Sequence, residues 1–203
     1  MVSDELKVFA VAVASFADRG FAGTTFAQLE EEMDLPAGTL ADRYGTLDVL
    51  WERSVLEAFN QHHDTVYNRL ATAFTAHLKE IDRFEQLLAI FIASAADHPE
   101  LQRIINHEAT VESPRVDVIF AQAVIPMISG FRPMLDSLIE AKEIRPVSDR
   151  EIFFILANGA ASVHAFAPLS IRFSERDGAF DIEAYSRSAA KLIIEGLKVH
   201  PRR

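Results

Sequence analysis

Apolar residues return along most of the chain at intervals of three and four. Leu6, Phe9, Val13, Phe16 and Ala17 form one such set, and Leu50, Leu56, Phe59, Val66, Leu70 and Phe74 form another. The rhythm continues in Phe84, Leu87, Leu88, Phe91, Ile92 and Ala95, and again in Ile152, Ile155, Leu156, Gly159, Val163 and Phe166. A last set holds Tyr185, Ala189, Leu192, Ile193, Gly196 and Leu197. That spacing gathers side chains on one face of a helix, whereas a half-buried strand alternates with period two. No run alternates between hairpin turns, so the pattern predicts an all-α fold. About nine helices are expected, at roughly 4–20, 25–33, 36–43, 47–75, 79–97, 99–111, 114–142, 149–168 and 181–198.

Polar punctuation sets the boundaries. Thr25-Phe26-Ala27-Gln28 and Ser148-Asp149-Arg150-Glu151 have the spacing of capping boxes, in which two side chains satisfy backbone donors at a helix start. Pro99 and Pro114 fall where a first helical turn tolerates proline. Pro126 lies inside the apolar run from Val116 to Leu138 and predicts a kink or a split there. Glu143 to Pro146 and Ser170 to Phe180 read as connections.

Composition narrows the chemistry. With 203 residues, 49% hydrophobic and 25% charged, the chain is long enough for a real core and too apolar for disorder. The absence of cysteine excludes disulfides, thiolate metal sites and thiol catalysis. Met1-Val2-Ser3-Asp4-Glu5 lacks the basic-then-apolar layout of a signal peptide, so a cytoplasmic protein is expected. Leu87 to Ala96 reads as the longest apolar stretch and is too short for a bilayer, so no membrane partner is expected. No phosphate loop, nucleophile elbow or metalloprotease helix is present. His62 and His63 are adjacent and diverge on a helix, and His107-Glu108 lacks a second histidine at zinc spacing. Glu80, Asp82 and Glu85 read as a solvated face. These observations predict no catalytic residue, no metal and no cofactor, and hence no enzyme. Twenty basic residues against 30 acidic ones give a charge of −10, which by itself weighs against nucleic acid.

The first fifty residues modify that last inference. Three short helices crowd into residues 4–43, joined by Gly20-Phe21-Ala22-Gly23 and Asp34-Leu35-Pro36, the layout of a helix-turn-helix unit. Phe16-Ala17-Asp18-Arg19-Gly20-Phe21-Ala22-Gly23-Thr24-Thr25 closely resembles the TetR family of bacterial transcriptional regulators, as do Gly38-Thr39-Leu40, Tyr44 and Leu50 at the family's spacing. The resemblance implies a homodimer with a DNA-binding domain over residues 1–46 and a ligand-binding and dimerisation domain over 47–203. It implies a ligand-responsive repressor that binds a palindromic operator and is released by a small, largely apolar or amphipathic effector. Thr25, Ala37, Gly38, Thr39, Arg43 and Tyr44 take the positions of the family's DNA-binding residues, with Thr25 capping its helix and touching phosphate. Gly38 and Thr39 would let the reading helix approach the DNA backbone, Arg43 can bond a guanine edge or a phosphate, and Tyr44 more readily packs the core.

The same stretch departs from the family pattern. Ala41 and Leu47 stand where a tyrosine and a lysine commonly reach phosphate, and Asp42 puts a carboxylate on the reading helix. Glu30-Glu31-Glu32 falls on the helix before it. Residues 1–60 hold 11 acidic and four basic side chains, so −7 of the −10 lies in the part expected to meet DNA. Carboxylates near DNA repel it. An alternative function is therefore a TetR-fold protein with weakened or lost DNA binding, acting as a small-molecule or protein-binding module.

The remainder supplies an apolar stripe and a run of small residues. Phe84, Phe91, Phe120, Phe131, Met127 and Met134 converge at helical spacing. Such a stripe is ordinary core or the lining of an effector site, for which Phe91, Ser94, His107, Phe120, Gln122 and Phe131 are the candidates. Ala157, Gly159, Ala160, Ala161 and Ser162 would let another helix come close. Through the resemblance, Ala157, Ala160 and Ala161 with Leu192, Ile193 and Gly196 become the expected dimer seam. Close packing inside one protomer would use the same small residues.

Overall fold

The computed structural model describes residues 2–73 and 78–199. Phe74, and with it the end expected for the fourth helix, lies outside the described residues. The helices are α1 (Val2–Arg19), α2 (Phe26–Glu32), α3 (Thr39–Tyr44), α4 (Leu47–Ala73), α5 (Glu80–Ser94), α6 (Pro99–Glu108), α7 (Pro114–Glu140), α8 (Asp149–Ala165), α9 (Ala167–Asp177) and α10 (Ile182–Leu197). Among the described residues there is no strand, only an isolated bridge between Ile144 and Lys198. The all-α expectation holds.

The chain forms two compact units, one from residues 1–61 with 100–123, the other from 62–99 with 124–203. In the first, α1 turns Val8, Phe9, Ala12, Val13 and Phe16 inward at the three-and-four spacing, where Leu29, Leu40, Leu50 and Trp51 are equally buried. Burying one such side chain contributes about 1.5–3 kcal/mol, so the short helices α2 and α3, seven and six residues long, are fixed by packing against α1 and its neighbours. The turn after α1 follows from its residues. Gly20 takes φ +70°, a left-handed helix end that suits glycine. Thr24 is buried and donates to the Gly20 carbonyl at 3.0 Å, and Thr24 Oγ1 lies 3.0 Å from the Ser15 hydroxyl. Both capping boxes form with both of their bonds, at Thr25–Gln28 and Ser148–Glu151.

The second unit buries Phe84, Leu88 and Ile92 of α5, Phe131, Leu135 and Leu138 of α7, Leu156 of α8, and Ala190 and Ile194 of α10 in one cluster. Three sequence expectations need correction. Pro126 does not split its helix; α7 continues through it by widening to a π turn at Phe120–Val124, just before the proline. A wider turn accommodates a ring that displaces the preceding carbonyl and brings no N–H. Ser170 to Phe180 is helical rather than a plain connection as far as Asp177, where Gly178 at φ +85° ends it. Its Leu169, Ile171 and Phe173 are all exposed, so no buried face marked it in the sequence. Finally, α7, rather than Leu87–Ala96, is by length and composition a helix that could cross a membrane. It carries Arg115 and Asp117 in its first turn and buries Phe131, Leu135 and Leu138 in the core of its unit.

Candidate functional site

Helix α2, a turn, and helix α3 form the helix-turn-helix unit. Thr25 Oγ1 accepts from the Gln28 amide at 3.3 Å, and Gln28 Oε1 accepts from the Thr25 amide at 3.0 Å, leaving Thr25 exposed at the start of α2. The chain turns at Asp34, φ +54°, and the Leu35 amide donates to the Glu30 carbonyl at 2.8 Å. Gly38 precedes α3 at φ +89° and has no side chain with which to cap it. Its cap comes from α2. Glu30 Oε2 accepts from the Gly38 amide at 3.0 Å and Glu30 Oε1 from the Leu40 amide at 2.8 Å. Glu30 is buried, so it does not belong to the solvent-facing acidic cluster that the run Glu30 to Glu32 suggests. The Thr39 amide and hydroxyl both donate to the Pro36 carbonyl, at 3.2 and 2.6 Å.

The outer face of α3 presents Ala41, Asp42 and Arg43, with Ala37 exposed just before it. Tyr44 is turned inward and packs against Phe9, which agrees with a core role. Burial raises the Tyr44 phenol above its ordinary range. Arg43 lies over the Tyr44 ring at 5.3 Å and 3.5 Å from Glu5, which also pairs with Arg53 at 2.7 Å. Arg43 therefore sits in a small network at the edge of the unit. The sequence pattern carries no local signal for Glu5 as its partner, because the two are far apart in the chain.

Other acids of this unit are similarly engaged. Arg19 pairs with Glu32, Arg103 with Asp18 at 3.3 Å, and Arg115 with Asp48 at 2.9 Å. Arg115 also bonds the buried Glu108 at 2.9 Å and lies over the Phe21 ring at 3.7 Å. Adding residues 100–123 raises the unit to 15 acidic and six basic side chains, a charge of −9.

The six candidate effector contacts fall in both compact units. His107 belongs to the first unit, where its Nε2 lies 3.2 Å from the Ala17 carbonyl and its ring sits beneath Gly20. Phe120 and Gln122 also belong to that unit and are exposed. Phe91, Ser94 and Phe131 belong to the second. Phe91 meets Phe131 edge-on at 5.5 Å and the ring of His62 at 6.1 Å. His62 faces His98 at 5.8 Å, and its Nδ1 is buried without a hydrogen-bond partner. Burial first, then the neighbouring charges of His98 and His63, lowers the His62 imidazole to about 4, against the opposing pull of Asp97. Arg69 donates to the buried Ser94 hydroxyl at 3.0 Å and pairs with Asp97 at 2.9 Å. Two histidines adjacent on a helix diverge, so the sequence alone gives no sign that the His62 ring meets Phe91 and His98.

The expected dimer residues divide by face. Ala157, Ala160 and Ala161 are buried within their own unit, and Ile193 packs against its core. Leu192 is 72% exposed and Gly196 is exposed. The outer apolar residues of α8 are Phe154, Ile155 and Gly159. The alanines of α8 thus pack inside the protomer, while Phe154 and Ile155 point outward.

No family model and no curated protein matches the sequence. The fold is nevertheless shared along its whole length. A bacterial regulatory protein of the TetR family from Rhodococcus RHA1 superposes with a TM-score of 0.70 at 16% identity, over 97% of this chain and 98% of the other. The chain has the TetR fold. A TetR-family transcription regulator from Marinobacter aquaeolei VT8 matches with a TM-score of 0.68 at 13% identity, over 98% of both chains. The ketosteroid transcriptional regulator KstR2 of Mycobacterium tuberculosis matches with a TM-score of 0.62 at 14% identity, over 98% of this chain and 97% of that one.

Proposed function

We propose that the protein is a homodimeric, ligand-responsive transcriptional regulator that binds a palindromic operator through α2 and α3 and is released by a small effector. The observation that carries this reading is the helix-turn-helix unit within a whole-length TetR fold, with Thr25, Ala37 and Arg43 exposed around it. Neighbours of the same fold from Marinobacter aquaeolei VT8 and Mycobacterium tuberculosis are transcription regulators. In this reading residues 1–46 are the DNA-binding domain and 47–203 hold effector and partner. Thr25 and Arg43 are the side chains offered to DNA, while Tyr44 holds α3 in place from inside. Repression is the expected sense of regulation, and no catalytic step is involved.

The effector contacts are assigned to the second unit, around Phe91, Phe131 and His62. Rings and methylenes there suit an apolar body, and the unpartnered His62 Nδ1 suits one polar group on it. The dimer seam is assigned to the outer faces of α8 and α10, Phe154, Ile155 and Gly159 with Leu192 and Gly196. Ala157, Ala160 and Ala161 support that seam from behind. Effector binding would favour one dimer geometry over another, and only one would match half-sites a helical turn apart.

A specific observation favours a second reading, a TetR-fold binding module without operator affinity. The DNA-facing unit carries −9, and its one basic side chain on α3, Arg43, is paired with Glu5. Anisotropy titrations against duplexes from the DNA flanking its own gene separate the two. Sequence-preferring binding at about 20–50 mM salt, weakening steeply as salt rises, is expected for a regulator. Equal, weak affinity for every duplex at that salt sinks the regulator reading and leaves the module.

A further inference from the structure

We propose that Glu30 is the positioning residue of the reading helix, and that it occupies the backbone donors which a DNA phosphate would otherwise meet at the start of α3. The contact itself stands on geometry alone. Its consequence for DNA rests on the reading above.

A helix start leaves backbone N–H groups without partners, and the residue before the helix usually supplies a side-chain acceptor. Here that residue is Gly38, at φ +89°, a left-handed conformation that glycine adopts without strain. A capping side chain at position 38 is thus excluded by the turn. Glu30, eight residues earlier and near the end of α2, replaces it with both carboxylate oxygens, one on the Gly38 amide and one on the Leu40 amide. The intervening Thr39 amide is taken by the Pro36 carbonyl. All three N–H groups from Gly38 to Leu40 are therefore satisfied within the protein. Glu30 is 5% exposed, and two amide donors together with the positive end of α3 compensate its buried charge. The carboxylate thus joins α2 to α3 through the turn and sets where the six residues of α3 begin. DNA contact by this protein then relies on side chains such as Thr25 and Arg43, and the amides of residues 38–40 are not available to it.

A second role for Glu30, repulsion of DNA by one more acid, predicts the opposite sign, and Glu30→Gln separates them. Glutamine keeps one acceptor oxygen but presents an NH2 to the other amide. Amide hydrogen exchange on the intact protein is the first measurement. In Glu30→Gln, exchange at residues 38–40 is expected to rise about tenfold with α1 and α4 unchanged, the loss of roughly one buried hydrogen bond. Glu30→Ala is expected to raise it further. If the alanine variant does not fold, the glutamine variant alone decides. Unchanged exchange at 38–40 in Glu30→Gln, or an equal rise throughout the unit, overturns the positioning role. The second measurement is DNA affinity against salt. Positioning predicts at least about tenfold weaker binding by Glu30→Gln with an unchanged slope of log affinity against log salt, since no phosphate contact is lost. Tighter binding with a steeper slope shows a repulsive acid and overturns the proposal. Should the wild-type protein bind no operator, the regulator reading fails by itself and the exchange measurement still decides the role of Glu30.

Discussion

His62 is neutral in the folded protein at any pH above about 4, because burial and its histidine neighbours disfavour the imidazolium. In the unfolded chain the same ring takes a proton near 6.5. The unfolded state therefore binds more protons between those values, so this contribution to stability is complete above pH 6.5 and is lost as pH falls towards 4. The ring is not wholly enclosed, and the contribution is on the order of 2 kcal/mol. His63 and His164 shift the same way through burial, so several rings share the acid sensitivity. Urea unfolding at pH 7.0 and 4.5 should show His62→Phe losing less stability on acidification than the wild-type protein. A variant with the same pH dependence as wild type would remove His62 from the account. At this scale the sequence is least informative. Glu30 reads as one of three acids in a row, yet alone among them it is buried against Gly38 and Leu40. The clue is the glycine that cannot cap its own helix, and it becomes a clue only once α2 and α3 are known to be adjacent.

Between residues and domains, the joint from α6 to α7 shows what an element contributes. Glu108, in the last turn of α6, is 3% exposed and accepts from Arg115 at 2.9 Å and from Ser113 at 3.2 Å. Arg115, in the first turn of α7, also reaches Asp48 of α4 and covers the Phe21 ring. One guanidinium thus ties α4, α6, α7 and the turn after α1 within a single unit. Arg115→Ala strands a buried carboxylate and should lower unfolding free energy by about 3 kcal/mol, whereas Arg115→Met combined with Glu108→Leu should recover most of it. A double variant no more stable than the single one would place the loss in packing on Phe21 instead. Elements are also where the sequence was most legible. Periodicity and capping residues located α1, α2 and α8 because their inward faces and caps are local properties. Helix α9 escaped notice because its apolar residues face outward, and the continuity of α7 because Pro126 is absorbed by a π turn that no local pattern announces.

For the whole molecule the deciding quantity is the placement of charge. Counted along the chain, residues 1–60 carry −7; counted by compact unit, the part that holds α2 and α3 carries −9 and the other −1. Six of its acids are engaged internally, Glu30 on backbone amides and Glu5, Asp18, Glu32, Asp48 and Glu108 on arginines. Those arginines are already subtracted in the −9, so the net repulsion of DNA by this unit stands, and the regulator reading rests on the helix-turn-helix geometry in spite of it. The family resemblance was legible over residues 9–50, where turn and cap chemistry leave a dense pattern. The proposed seam was legible only as a pair of helices, because which face of α8 points outward depends on what lies behind it. The most direct measurement is selection from a random pool of duplexes at about 50 mM salt. Enrichment of inverted repeats with half-site centres about 10 base pairs apart is expected, with two protomers on each duplex, and both are expected to be lost in Leu192→Glu, a monomer by light scattering. A pool that stays unenriched with the wild-type dimer would contradict it.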